Sequence, residues 1–273
     1  MKTVSIPDDG LATIDRGDGM PVLLVHGFPL DHTMWDRQIE ALARNYRVIA
    51  PDLRGFGRSS AGGEMTTMEQ FADDLAAILD ALNVEVPIVL CGLSMGGYIA
   101  FQFWRRHSAR LRALALCDTR AMADTAEGAA ARLTMAERVL RDGPGFVADM
   151  MLPKLFAVES RTPEREYLES TRRVILSTDP RGIAAAARGM AQRPDFTSRL
   201  GHISVPTLVL VGSEDAISAP QEMRAIAAAI PGSRFIEIAG AGHMSPLEKP
   251  DEVTEALADF LNAVWEPGTA TGS

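Results

Sequence analysis

The stretch that most constrains this chain is Gly92-Leu93-Ser94-Met95-Gly96. It follows the apolar run Ile88-Val89-Leu90-Cys91 and leads into Gly97-Tyr98-Ile99-Ala100-Phe101-Gln102-Phe103-Trp104, which can continue as a helix. A G-x-S-x-G between a strand and a helix is a nucleophile elbow, a sharp and strained turn that lifts the serine clear of the backbone. Side chains at positions 92 and 96 would collide in such a turn, which accounts for glycine at both. A pentapeptide also arises by chance, so the weight falls on its context: strand before, helix after, and suitable partners downstream.

That context extends along the chain. Residues 2–6 and 11–16 flank Pro7-Asp8-Asp9-Gly10 as an opening hairpin. Val22-Leu23-Leu24-Val25 is a continuous apolar run, the pattern of a strand buried on both faces. Strands are also expected at 46–50, 88–91, 111–117, 207–211 and 234–238. Amphipathic stretches separate them, bearing Trp35, Ile39 and Leu42; then Phe71, Leu75, Ile78 and Leu82 behind the capping box of Thr67 and Gln70; then Met223, Ile226 and Ile230. A last helix at about 250–264 carries Val253, Leu257 and Phe260. This alternation argues for an α/β fold with a parallel sheet covered on both faces. From Thr119 to Arg193 it stops. Four helical stretches take its place, at about 126–141, 144–151, 162–177 and 179–192, punctuated by Pro153, Pro163 and Pro180. The expected organisation is a core of 1–118 and 194–265, a helical cap of 119–193, and a loose tail of 266–273.

A serine hydroxyl is a poor nucleophile at neutral pH and needs a base, itself oriented by a third group. For an elbow serine these follow in the order acid, then histidine. Of the five histidines, only His202 and His243 come after the helical block. His243 lies in Gly240-Ala241-Gly242-His243-Met244, past the last strand and so at the sheet edge that carries the elbow. His202 precedes a strand, at the opposite edge. Asp215, in Gly212-Ser213-Glu214-Asp215, is the expected acid, and Asp118, which ends the strand next to the elbow, is its rival. Two backbone N–H groups should receive the oxyanion: that of Met95, just after the nucleophile, and that of Phe28 in His26-Gly27-Phe28-Pro29. His26 is read as a support for that loop rather than a chemical participant.

These pieces, with Asp52-Leu53-Arg54-Gly55-Phe56-Gly57-Arg58-Ser59, resemble the α/β-hydrolase superfamily across nearly the whole length. The resemblance implies a mostly parallel, eight-stranded sheet with a helical cap after the sixth strand. Within the superfamily the chain is most similar to small bacterial carboxylesterases and the 3-oxoadipate enol-lactonase-like branch. Dehalogenases and epoxide hydrolases of this fold use an aspartate nucleophile, and Ser94 argues against both. Haloperoxidase-like members often carry tryptophan in the oxyanion loop, where this chain has Phe28.

The expected function is hydrolysis of small to medium, largely apolar carboxylic esters through an acyl-enzyme. Lactone or carbon–carbon bond hydrolysis with the same three residues is the alternative, and a non-catalytic ligand-binding module is the remaining one. The cap is rich in Met122, Met135, Phe146, Met150, Met151, Leu152, Leu155, Phe156, Val174 and Met190, and methionine adapts to varied shapes. It also carries Arg132, Arg138, Arg172, Arg173 and Arg188; one of these aimed at Ser94 would favour an anionic substrate. No metal or cofactor signature is present, and Arg54-Gly55-Phe56-Gly57 reads as a structural turn rather than a phosphate loop. A net charge of −9 argues against nucleic acid or an anionic membrane as partner. Cys91 and Cys117 are expected as buried, reduced thiols, and the absence of an apolar leader reads as a cytoplasmic protein, a monomer or small homo-oligomer.

Overall fold

The apolar runs become one sheet of eight strands: β1 (Lys2–Ile6), β2 (Asp9–Arg16), β3 (Pro21–Val25), β4 (Arg47–Pro51), β5 (Ile88–Leu93), β6 (Leu111–Cys117), β7 (Thr207–Gly212) and β8 (Arg234–Ile238), in the order β1-β2-β4-β3-β5-β6-β7-β8. The computed structural model describes residues 2–6, 9–162 and 165–265. Pro7 and Asp8 of the expected hairpin turn, Pro163 and the tail 266–273 lie outside the described residues. β1 and β2 pair antiparallel, as do β2 and β4; every other pairing is parallel. β3, β5 and β7 are buried at every position, as unbroken apolar runs require when helices cover both faces. β8, at the edge, is half-exposed.

Helices α1 (Asp36–Leu42), α2 (Met68–Ala81), α3 (Met95–His107), α8 (Pro220–Ala229) and α10 (Pro250–Trp265) connect or follow the strands. The Thr67 side chain accepts from the Gln70 N–H and so starts α2 where the capping pattern indicated. Between β6 and β7 come α4 (Ala126–Asp142), α5 (Gly145–Leu155), α6 (Glu166–Ser177) and α7 (Pro180–Ala191). Pro180 occupies the first turn of α7, behind the Asp179 cap. Pro153 does not end a helix: α5 runs through it to Leu155. Its ring removes a single N–H bond, to the carbonyl of Asp149, which lies at an exposed position where water can replace it. A one-turn helix, α9 (Ser245–Glu248), and several 3-10 turns were too short to leave a periodic signal.

The inserted helices are fastened to the loops at the carboxyl ends of the strands. Thr66 N–H donates to the Ala185 carbonyl at 3.1 Å, and Met244 N–H to the Leu155 carbonyl at 2.9 Å. Glu248 joins two loops: its Oε1 accepts from Gly242 N–H and its Oε2 from Ala157 N–H. The turn after β4 is structural, as its sequence suggested: Arg54 makes a two-pronged pair with Asp74 of α2, at 2.9 and 2.7 Å.

Leu90 lies in register between Leu23 of β3 and Leu114 of β6, with no exposure. Leu90→Ala is expected to lower the unfolding free energy by about 2–5 kcal/mol, read as a fall in the urea midpoint at constant m-value. A loss below about 1 kcal/mol would contradict a close-packed central strand.

Candidate active site

β5 ends at Leu93, and α3 begins at Met95. Between them Ser94 holds φ 55° and ψ −111°, a left-handed backbone that side chains avoid. The flanking glycines are sterically required. A Cβ on Gly92 would lie 2.3 Å from the Gly96 carbonyl oxygen, and one on Gly96 would lie 2.5 Å from that of Val25. Ser94 N–H donates to the Cys117 carbonyl at 2.9 Å, and Thr119 Oγ1 donates to the Ser94 carbonyl at 2.7 Å. The end of β6 therefore grips the elbow from both sides.

The loop after β3 packs on this turn. A Cβ on Gly27 would stand 3.4 Å from Ser94 Cβ, so the Phe28 amide follows directly on a residue in contact distance of the nucleophile. Among the described residues neither the Phe28 nor the Met95 N–H donates to a protein acceptor. Met95 also opens a thirteen-residue helix, whose N-terminus favours negative charge. His26 holds the loop in place. Its Nε2 accepts from Leu53 N–H at 2.9 Å, which puts the proton on Nδ1, facing the Gly27 carbonyl at 2.9 Å. Burial lowers its pKa, keeping the ring neutral as that arrangement needs.

His243 and Asp215 meet at the same sheet edge, with His243 Nδ1 2.8 Å from Asp215 Oδ2 and both side chains buried. The other Asp215 oxygen accepts from the N–H groups of Ile217 and Ser218, at 2.7 and 2.9 Å. Burial alone would raise the Asp215 carboxyl; the imidazole and these donors outweigh it and hold it below the usual carboxylate range. Ser94 Oγ makes no hydrogen bond with the described residues, His243 included. In free enzymes such bonds are commonly long and tighten only around substrate.

Asp118 is not in this pair. It is wholly buried, and its oxygens accept from Gly212 N–H at 2.8 Å and Ser245 Oγ at 2.7 Å. His202 lies on an exposed turn before β7 and His107 pairs with Asp73 at 2.8 Å, so neither joins the site. Asp31, His32 and Asp52 bring ligand-type atoms within 4.8 Å of one another. Their oxygens are already engaged: Asp52 accepts from His32 and from Arg58 N–H, and Asp31 caps the following turn through Thr33 N–H. Cys91 and Cys117 are buried thiols on neighbouring strands, with sulfurs 3.8 Å apart.

A cavity of about 350 Å³ opens beside Phe28 and beside Ala216 and Ile217, which follow Asp215. Met135, Met150 and Met151 of the inserted helices line it, as do the cations Arg120, Arg132 and Lys154. Among the five arginines singled out in the inserted stretch, Arg132 is the one in this lining, and it also pairs with Asp124. Arg138 and Arg172 pair with Asp142 and Asp149, and Arg188 bonds the Glu64 carbonyl. Arg120 and Lys154 escaped the sequence reading. Arg120 is held by Glu222 through two bonds of 2.7 Å, whereas Lys154 is exposed and forms no ion pair among the described residues. Neither carried a signal beyond its place at the end of an element.

The likeness to known proteins agrees with this construction. The esterase of Thermogutta terrifontis is 52% identical to the chain, covers 96% of it and 97% of its own length, and superposes with a TM-score of 0.93. The enol-lactonase of Burkholderia xenovorans is 30% identical, covers 96% of this chain and 100% of its own, with a TM-score of 0.89. By sequence, 3-oxoadipate enol-lactonase 1 of Acinetobacter baylyi is 30% identical over 234 residues, 86% of this chain and 85% of that one. A family model described as the alpha/beta hydrolase fold matches residues 20–250. With its strained elbow, mostly parallel sheet and edge-mounted carboxylate–imidazole pair, the chain belongs to the α/β-hydrolase fold family.

Proposed function

We propose that this protein hydrolyses carboxylic esters through an acyl-enzyme on Ser94, with His243 as base and Asp215 as its orienting acid. The observation that carries this reading is the buried 2.8 Å contact of His243 Nδ1 with Asp215, on the sheet edge where the elbow raises Ser94. Asp215 fixes the tautomer, so Nδ1 bears a proton and Nε2 is left as the acceptor. Ser94 Oγ attacks the ester carbonyl as Nε2 takes its proton. The tetrahedral oxyanion forms against the N–H groups of Met95 and Phe28. His243 then returns the proton to the departing alcohol. Water, deprotonated by the same nitrogen, releases the acid and restores Ser94. The methionine-lined cavity supports tolerance of varied apolar groups. The 119–193 insertion serves in this proposal as the roof of the substrate pocket.

A second reading, hydrolysis of a lactone or ester that bears a free carboxylate, is favoured by one observation. Of the three cations that line the cavity, Arg120 and Arg132 are paired with Glu222 and Asp124, whereas Lys154 forms no ion pair among the described residues. An uncompensated ammonium in the lining of a cavity attracts anions.

Ser94→Ala and His243→Ala are each expected to lower turnover of a short-chain aryl ester by about a thousandfold or more, with Asp215→Asn severe but less complete. Wild-type protein inactive on every ester and lactone in a panel of varied chain length would overturn the reading. For the second reading, Lys154→Ala is expected to lower the kcat/KM ratio of a dicarboxylate monoester to its neutral dialkyl counterpart by about two- to fivefold, an effect that salt diminishes. An unchanged ratio would remove Lys154 from substrate selection.

A further inference from the structure

Asp118 is a buried carboxyl that the proposed chemistry leaves unused. Its partners are unusual in their distribution rather than their number. One carboxyl oxygen takes the N–H of Gly212, the last residue of β7 before the loop carrying Asp215. The other takes the hydroxyl of Ser245, two residues beyond His243. Its carbonyl accepts from Ser218 Oγ at 3.0 Å, and the N–H of that same Ser218 donates to Asp215 Oδ1. Its chain neighbours, Cys117 and Thr119, hold the Ser94 backbone. Asp118 itself turns out of the strand at φ 46°, a conformation that aspartate tolerates better than most residues.

We propose that Asp118 is a positioning residue, a buried hydrogen-bonding bracket that holds the acid loop and the base loop in register with the nucleophile elbow. The idea rests on the catalytic reading of Ser94, Asp215 and His243. It gives Asp118 no proton transfer and no contact with substrate. The three reacting side chains come from three separate loops, and no strand pairing extends into those loops. Glu214 N–H donates to the Ala241 carbonyl and Ser213 N–H to that of Ile238, which ties the acid and base loops at their bases; Asp118 adds a buried link between them through Ser218 and Ser245, and reaches the elbow through its neighbours Cys117 and Thr119. Displacement of a catalytic group by about 1 Å can cost on the order of a hundredfold in rate, so such a bracket acts through geometry.

The Asp118 carboxyl is pushed well above the carboxylate range by burial and by the nearby charge of Asp215. A neutral amide is therefore a fair replacement. Its oxygen can accept from Gly212 and its NH₂ can donate to Ser245, whose hydroxyl serves in either direction.

The test compares Asp118→Ala, Asp118→Asn and Ser245→Ala, with kcat expressed per active site titrated by a fluorophosphonate. Normalising in this way removes the unfolded fraction that a purely structural loss would create. Asp118→Ala is expected to lower kcat per titrated site about tenfold or more, with KM changed much less. Asp118→Asn should recover most of that loss. Ser245→Ala, which cuts only the arm to the base loop, should lower kcat about threefold or more. Wild-type kcat per site in Asp118→Ala or Ser245→Ala, alongside a lower Tm, would reduce Asp118 to a structural residue. Asp118→Asn as impaired as Asp215→Asn would make its charge essential and overturn the bracket. If Asp118→Ala yields no folded protein, the other two variants decide. Wild-type protein that takes up no fluorophosphonate sinks the underlying catalytic reading instead, so the two failures are separable.

Discussion

Ser94 is held at φ 55° and ψ −111°, and most of the site follows from what keeps it there. A non-glycine residue in such a region costs on the order of 1–3 kcal/mol and persists only where its surroundings over-determine it. Here they do. The backbone of β3 abuts Gly96, the last residue of β6 accepts from the Ser94 N–H, Thr119 just beyond it donates to the Ser94 carbonyl, and α3 begins at the next residue. The strain is carried by strands whose packing also forms the core. The same closeness brings Gly27 against Ser94, one residue before the Phe28 amide.

Two buried carboxyls near one sheet edge show how environment divides roles between identical groups. Asp215 faces an imidazole and two backbone donors, and it is held below the ordinary range despite burial. Asp118 has one backbone donor, one hydroxyl and a neighbouring negative charge, and it is pushed well above. Two carboxyls near one sheet edge are thus driven in opposite directions by what surrounds them. His26 follows the same logic: burial keeps it neutral, and both ring nitrogens are spent on the backbone.

Much of the architecture was legible because parallel strands buried on both faces leave unbroken apolar runs. Val22–Val25 and Thr207–Val211 needed little more than their composition. The elbow was legible because close backbone approach leaves glycine at fixed spacing, and Asp215 with His243 because each follows a strand at the elbow's edge. Asp118 was harder. It too follows a strand there, and only the structure shows that its oxygens are taken by Gly212 and Ser245 while His243 turns to Asp215. Pro153 misled because it sits in the last turn of α5, which ends two residues later. Lys154 and Arg120 were missed because a lone cation has no pattern until the fold shows what it faces.

The central claim is that one serine of this chain is activated by a distant imidazole. Its most direct test is to treat the protein with a fluorophosphonate and map the adduct by mass spectrometry of its peptides. The account requires a single adduct, on Ser94, with labelling that all but disappears in His243→Ala. Labelling at another residue, or undiminished labelling of Ser94 without the imidazole, would contradict it.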